Sequence, residues 1–192
     1  MAFLKRGRRR GDQSFEDVLA AARAGDEWAW AQLLEDLTPP ALAYVRAQGV
    51  RDPDDVVGDM LMELVRGIET FEGSAARFRS WAFVIAHSRA VDALRRAGRR
   101  REDPVGEVPE PAGSMPDVGD TALGNLGAGD LGPLLYRLTD DQRDVLLLRV
   151  VAGLDAAETG EVLGKAADAV RSLQHRALTT LREQISQERV TP

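Results

Sequence analysis

The feature that most restricts this chain is an interruption. Between Gly98 and Gly132 helical periodicity fails, and Pro104, Pro109, Pro111 and Pro116 stand among repeated glycines. Proline lacks the backbone donor a helix interior needs and clashes with the preceding turn. On either side, apolar residues recur every three or four positions, as on one face of a helix. No strand-like alternation and no internal repeat is evident. The chain therefore reads as all-α, with two small helical domains at residues 14–98 and 133–192. An acidic, flexible Pro/Gly-rich linker, 99–132, would join them. A basic arm, 1–13, would precede them, either a disordered phosphate-seeking segment or a solubilising end.

Local signals place the helices. Ser14 is a suitable N-cap for a helix carrying Phe15, Val18, Leu19 and Ala22, and Asp26 for a second with Trp30, Leu33, Leu34 and Leu37. Pro39-Pro40 should interrupt that second helix, with a third from about Pro40 to Gln48. Asp52 or Asp54 should cap a helix of about Asp54–Glu69, with Pro53 in its first turn. Its stripe is Val56, Val57, Met60, Leu61, Leu64 and Ile68; its other face carries Asp55, Asp59 and Glu63. After the loop Phe71–Ser74, a long helix of about Ala76–Ala97 should bury Phe78, Trp81, Ile85 and Leu94. Beyond the linker come a short helix with Leu134, Leu135 and Leu138, then helices at about Asp141–Val151 (capped by Thr139 or Asp140), Ala156–Leu163 and Ala167–Gln187. The last should bury Val170, Leu173, Ala177, Leu181 and Ile185.

Composition narrows the function classes. With 44% hydrophobic residues a packed core is expected, and with only 5% aromatics it must rest on aliphatic side chains. The absence of cysteine excludes disulfides, thiolate metal sites and a cysteine nucleophile. No apolar run has the length of a signal peptide or a membrane span, so the expectation is a soluble, cytoplasmic protein without membrane insertion. The net charge of −6 argues at first against nucleic acid, but the charges are segregated. Arg77–Arg101 holds eight Arg against Asp92 alone, while Glu35–Glu72 holds nine acids against three Arg. One part could meet DNA and another a basic protein surface.

Two short helices joined at Gly164-Lys165 form a helix-turn-helix pattern. With its apolar stripe removed, the second helix presents Arg171, Ser172, Gln174, His175, Arg176, Thr179 and Arg182. Arg can pair with guanine and Gln with adenine in the major groove. Periodicity alone fits equally well a solvated face of an ordinary helical bundle. The absence of acid from Val170 to Leu181 favours DNA.

The residues themselves carry a resemblance. Leu138–Arg149 (LTDDQRDVLLLR), Gly153–Glu158, Val162-Leu-Gly and Ala169–Leu178 (AVRSLQHRAL) resemble region 4 of extracytoplasmic-function sigma factors of the sigma-70 family. Asp54–Asp59 (DDVVGD), Phe78–Ala86 (FRSWAFVIA), Ala90–Arg96 and the opening Ala24–Trp30 resemble their region 2. The resemblance implies a subunit, with no catalytic residues or cofactor of its own, that directs core RNA polymerase to promoters. It implies −35 contacts by Arg171, Ser172, Gln174, His175 and Arg176. It implies −10 contacts by Phe71, Gly73, Ser74, Arg77, Arg79, Arg89, Arg95 and Arg96. It implies docking on the β′ clamp helices through Asp54, Asp55, Val56, Asp59, Met60 and Glu63, and on the β flap. An anti-sigma factor is a further implied partner.

The sequence departs from the family pattern at Gly58, where a longer side chain, often Gln, is usual. Glycines 124, 127, 129 and 132 fall where many relatives begin a region-4 helix, and the −10 loop residues Gly73–Ala76 are small. Among other constellations, Asp55, Asp59 and Glu63 lack a His or Cys at metal-ligand spacing. Five Arg within Arg95–Arg101 exceed what a helix C-terminus needs, and are read as phosphate contacts. Phe78 and Trp81 are read as core rather than base-stacking residues, and His87 as a helix-face residue rather than a catalyst. The alternative to a sigma factor is a helical adaptor whose helix-turn-helix binds protein.

Overall fold

The computed structural model describes residues 14–102, 135 and 137–188. The basic arm and residues 103–132 of the expected linker lie outside them. Among the described residues the chain is all-α. The first half contains α1 (Phe15–Arg23), α2 (Glu27–Glu35), α3 (Thr38–Ala47), α4 (Pro53–Gly67) and α5 (Ala75–Glu102). The second half contains α6 (Asp140–Val150), α7 (Ala156–Leu163) and α8 (Ala167–Glu188).

Capping explains several boundaries. Ser14 and Thr139 each close a reciprocal capping box, with Asp17 and Gln142 at the third helical position. Asp26 and Asp52 occupy N-cap positions without a side-chain cap bond. The second helix ends at Glu35, before Pro39-Pro40, and the expected third helix follows, beginning at Thr38 rather than Pro40. Both prolines lie in the first turn of α3, where no amide partner is lost. The long helix α5 continues to Glu102, past the expected boundary at Gly98. Leu94, expected on its buried side, is exposed.

In the first half α4 and α5 pack along each other, α3 lies across both, and α1–α2 close one end. Phe15, Phe71, Phe78 and Trp81 form an aromatic cluster there, with Phe71 and Trp81 stacked at 5.2 Å. In the second half α6 and α7 both pack on α8. The halves are not separate bodies. α7 lies on α5 and α6 touches α3, so Tyr44 and Phe83 share one apolar core with Leu148 and Leu154. All four side chains are fully buried. No helix among the described residues is long and apolar enough to cross a membrane.

Candidate nucleic-acid interface

The helix-turn-helix is built from backbone upward. Asp155 caps α7 by accepting from the amides of Ala157 and Glu158, while Glu158 accepts from the Asp155 amide. Gly164 ends α7 in the left-handed region at φ 63°, a conformation that costs glycine little. The Lys165 amide then donates to the Gly160 carbonyl at 2.9 Å. A Cβ on Gly160 would stand 2.4 Å from the Lys165 carbonyl oxygen, so only glycine permits this close turn. Two long side chains fix the pair against α6. Lys165 Nζ reaches Asp141 at 3.0 Å, and Arg149 Nε donates to Gln174 Oε1 at 3.1 Å.

These restraints set which face of α8 looks outward. Val170 and Ala177 are fully buried and Gln184 nearly so, while Ile185, expected inward, is only half-buried. Arg171, Ser172, His175, Arg176, Thr179 and Arg182 are exposed. Gln174 does not join them fully, because its amide oxygen is held by Arg149. Arg171 pairs with Asp168 one turn back at 2.5 Å.

In the first half, the loop after α4 is pinned from α1. The Arg23 guanidinium donates to the carbonyls of Ile68, at 3.0 Å, and of Phe71. The sequence reading missed Arg23, whose sequence neighbourhood holds no hint of a target 45 residues away. Gly73 lies at φ 148°, with the Arg77 side chain folded over it. Ser74 Oγ accepts from the Arg77 amide at 3.3 Å. Gly73, Ser74, Arg77 and Arg79 are exposed and close in sequence to one loop. Phe71 packs in the aromatic cluster, 7% exposed, at the wall of the cleft between the halves. Arg89 is also engaged, paired with Glu63 of α4. Arg95 and Arg96 are exposed, but along α5 they stand roughly 28 Å from Arg77 at 1.5 Å per residue. The expected −10 residues thus form two groups rather than one patch. The side chains of Arg99–Arg101 lie outside the described set.

On α4, Val56 and Met60 belong to the core, at 6% and 1% exposure, which corrects their expected place at a protein-binding surface. Helical periodicity turns them toward α5, whereas Asp54, Asp55 and Asp59 face outward. Met62 and Val65 are exposed beside these acids and were missed. The signal was available: both are apolar and both fall off the buried stripe.

A cleft of about 380 Å³ opens between the halves. Gly67, Phe71, Glu72, Arg77, Trp81 and Val84 line it from the first half, and Glu161 of α7 from the second. Nearby, Arg79 reaches toward Gly153, between α6 and α7. A polar chain also crosses between α3, α5 and α6. Gln48 donates to Asp144 and, at 3.0 Å, to the Tyr44 hydroxyl, which is 2.7 Å from His87 Nδ1. Burial raises the Tyr44 and Asp144 pKa values and lowers that of His87. His87 is thus neither a plain surface residue nor a catalyst, but a member of this chain.

Comparison with known proteins supplies the class. The sigma-70 region 2 model matches residues 33–100 and the sigma-70 region 4 model residues 134–183, together more than half the chain. The chain is 31% identical over 179 residues to the ECF RNA polymerase sigma factor SigD of Mycobacterium tuberculosis, covering 90% of this chain and 84% of that one. It is 33% identical over 172 residues to the ECF sigma factor ShbA of Streptomyces griseus, covering 82% and 88%. Its fold is similar to CnrH in its complex with the cytosolic domain of CnrY, with a TM-score of 0.65 at 23% identity, covering 88% and 96%. It is also similar to RpoE of Bartonella quintana in complex with the anti-sigma factor NepR, with a TM-score of 0.64 at 24% identity, covering 84% and 97%. The chain belongs to the ECF sigma factors of the sigma-70 family, and acts as a sigma factor, not an enzyme, directing RNA polymerase to promoters through regions 2 and 4.

Proposed function

We propose that the outward face of α8 reads the −35 element, with Arg171, Ser172, His175 and Arg176 contacting base edges and phosphates. The observation that carries this reading is the glycine-tight α7–α8 turn, which presents those four residues together on an exposed face. A recognition helix meets the major groove with residues of its N-terminal half. The loop Gly73–Arg77 and the start of α5 hold the −10 element, with Phe71 and Trp81 supporting it from below. Arg95 and Arg96 contact phosphates further along.

Core polymerase docks on the outward face of α4. Asp54, Asp55 and Asp59 supply charge, and Met62 and Val65 supply the apolar contact that Val56 and Met60 cannot. The β flap takes the second half. A protein inhibitor covers one or both halves: both solved relatives described above were seen with a protein partner, CnrY or NepR.

The test is reconstitution with core enzyme and mapping of transcript starts across the genome. Promoter-specific transcripts are expected, and Arg171→Ala with Arg176→Ala should abolish them while core binding persists. Transcripts unaffected by the double substitution would instead support a helix-turn-helix directed at protein. Replacing Arg95 and Arg96 with Ala should lower the salt slope of promoter binding by nearly one unit per lost phosphate contact.

A further inference from the structure

The turn that follows α4 is closed by its own bonds and clamped from outside. The Phe71 amide donates to the Ile68 carbonyl at 3.3 Å, and Thr70 donates to the Gly67 carbonyl through its amide and its hydroxyl, each at 3.2 Å. Across this turn lies one guanidinium. Arg23 Nε donates to the Ile68 carbonyl at 3.0 Å, and a terminal nitrogen of the same group donates to the Phe71 carbonyl. A single planar fork thus holds the first and last residues of a four-residue turn. Bonds from a charged donor are roughly twice as strong as neutral ones, and the fork fixes direction as well as distance.

We infer that Arg23 is a positioning residue for the −10 element, acting through the turn Ile68–Phe71 without itself touching DNA. The inference rests on the assignment of the Gly73–Arg77 loop to that element. It brings α1 into the site, although α1 lies upstream of residues 33–100, those matched to region 2.

The clamp sets two things. The first is the aromatic wall. Phe71 stacks on Trp81 at 5.2 Å and meets Phe78 edge-on at 5.3 Å. Trp81 also rests against Gly67, where an added Cβ would stand 2.7 Å from its six-membered ring. The place of the indole therefore depends on both ends of the turn. Gly67, Thr70, Phe71 and Glu72 form one wall of the cleft that Arg77 also lines. The second is the direction in which the chain leaves. Two residues past the clamp, Gly73 takes φ 148° and Arg77 folds over it. Glycine adopts this conformation and several others at little cost, so Gly73 does not select it alone. On the N-terminal side the restraint comes from Phe71, and so from Arg23.

Arg23 is well placed to act as a strut. Its helix is fixed by the Ser14 capping box, by the buried Val18, Leu19 and Ala22, and by Phe15 against Phe78 at 5.7 Å. The Arg23 side chain is half-buried, with donors committed to both carbonyls. A wall and loop shaped in advance bind a strand more tightly, because their ordering is not charged against binding.

The test uses holoenzyme assembled with core polymerase and a promoter found by mapping transcript starts. The probes are a −35 duplex and single-stranded oligonucleotides carrying either strand of the −10 element. Arg23→Ala should weaken the −10 strand about tenfold, the cost of fixing on the order of one released backbone residue again. It should leave the −35 duplex unchanged. Arg23→Lys should weaken the strand less, about threefold, because an ammonium keeps the charge but cannot serve both carbonyls in one plane. Salt titration separates positioning from contact. The slope for the −10 strand should be the same in Arg23→Ala as in the parent, whereas Arg77→Ala should lower it by about 0.7, one single-strand phosphate contact. A lowered slope in Arg23→Ala would make Arg23 a phosphate contact and overturn the inference. Equal losses on both probes would mark a general loss of folded protein and overturn it too. Unchanged strand binding in Arg23→Ala, with Arg77→Ala impaired, overturns it while leaving the −10 assignment intact. If neither substitution affects strand binding, the −10 assignment fails and the inference falls with it.

Discussion

Replacing Gly160 with alanine tests whether the tight turn between α7 and α8 positions the reading helix. The added methyl would stand 2.4 Å from the Lys165 carbonyl oxygen, where real Cβ contacts essentially never fall below 3.0 Å. That oxygen cannot retreat cheaply. The Lys165 amide is bonded to the Gly160 carbonyl at 2.9 Å, and its ammonium to Asp141 at 3.0 Å. Overpacking against rigid atoms costs about 1–3 kcal/mol. Alanine regains about 0.5–1 kcal/mol of helix preference. The net expectation is a loss centred on about 1 kcal/mol, or roughly 2–4 °C in Tm for a chain of this size. Gly58→Ala is the control, since nothing lies within 4 Å of its added methyl. It should gain about 0.5–1 kcal/mol, the full preference of alanine in a helix interior. Calorimetry gives both signs, and binding to a −35 duplex should weaken for Gly160→Ala and hold for Gly58→Ala. A Gly160→Ala chain as stable and as tight-binding as the parent refutes the argument that this contact fixes α8.

Arg23→Ala removes the donors that hold the Ile68 and Phe71 carbonyls; at about 1.5–3 kcal/mol for a charged hydrogen bond, Tm should fall by roughly 3–12 °C on thermal melting. Arg23→Lys, which cannot donate to both carbonyls in the same fork, should recover only part of that loss. Acidification should weaken the contact between the halves through His87. Burial holds its pKa below the ordinary 6.5, and its Nδ1 shares a hydrogen bond with the Tyr44 hydroxyl. Its contribution is complete above about pH 6.5 and is lost as pH falls toward the depressed value. Asp144, whose pKa burial raises above 3.8, acts in the opposite sense: its protonation on acidification removes a buried charge. As pH falls below 6.5 the His87 contribution should be lost, so Tm on thermal melting should fall with acidification in that range and fall less in His87→Asn.

What could be read from the sequence was what neighbours in sequence determine. Capping boxes at Ser14 and Thr139, the glycine end of α7 and the 3.6-residue stripes all depend on residues within one or two turns. The face of α8 followed from the same rule, apart from a drift that buries Gln184 in place of Ile185. The misreadings came from a different source. The family resemblance implies functional roles for Phe71, Val56 and Met60, although their own hydrophobicity places them inside. Arg23 and the bond between Gln48 and Asp144 join residues 45 or more positions apart, which periodicity cannot pair. The shared core has the same origin: each half has an apolar surface, and nothing local says that the two meet.

The net charge of −6 now has a structural counterpart. Several arginines expected at DNA are matched by intrachain acids: Arg171 by Asp168, Arg89 by Glu63 and Arg95 by Asp92, while Glu161 shares the cleft of Arg77. Such exposed pairs contribute little to stability, and salt screens them. Their effect on binding is larger in kind, because each phosphate contact must first displace a carboxylate. Asp168→Asn isolates one case. It removes the acid from Arg171 but keeps a short polar residue in the first turn of α8, where a negative charge favours the helix end by about 0.3–1 kcal/mol. Stability should therefore fall slightly while affinity for the −35 duplex rises. Its salt dependence should steepen by up to one phosphate contact. The two signs separate the explanations: if affinity falls together with stability, Asp168 serves to organise α8 rather than to restrain Arg171.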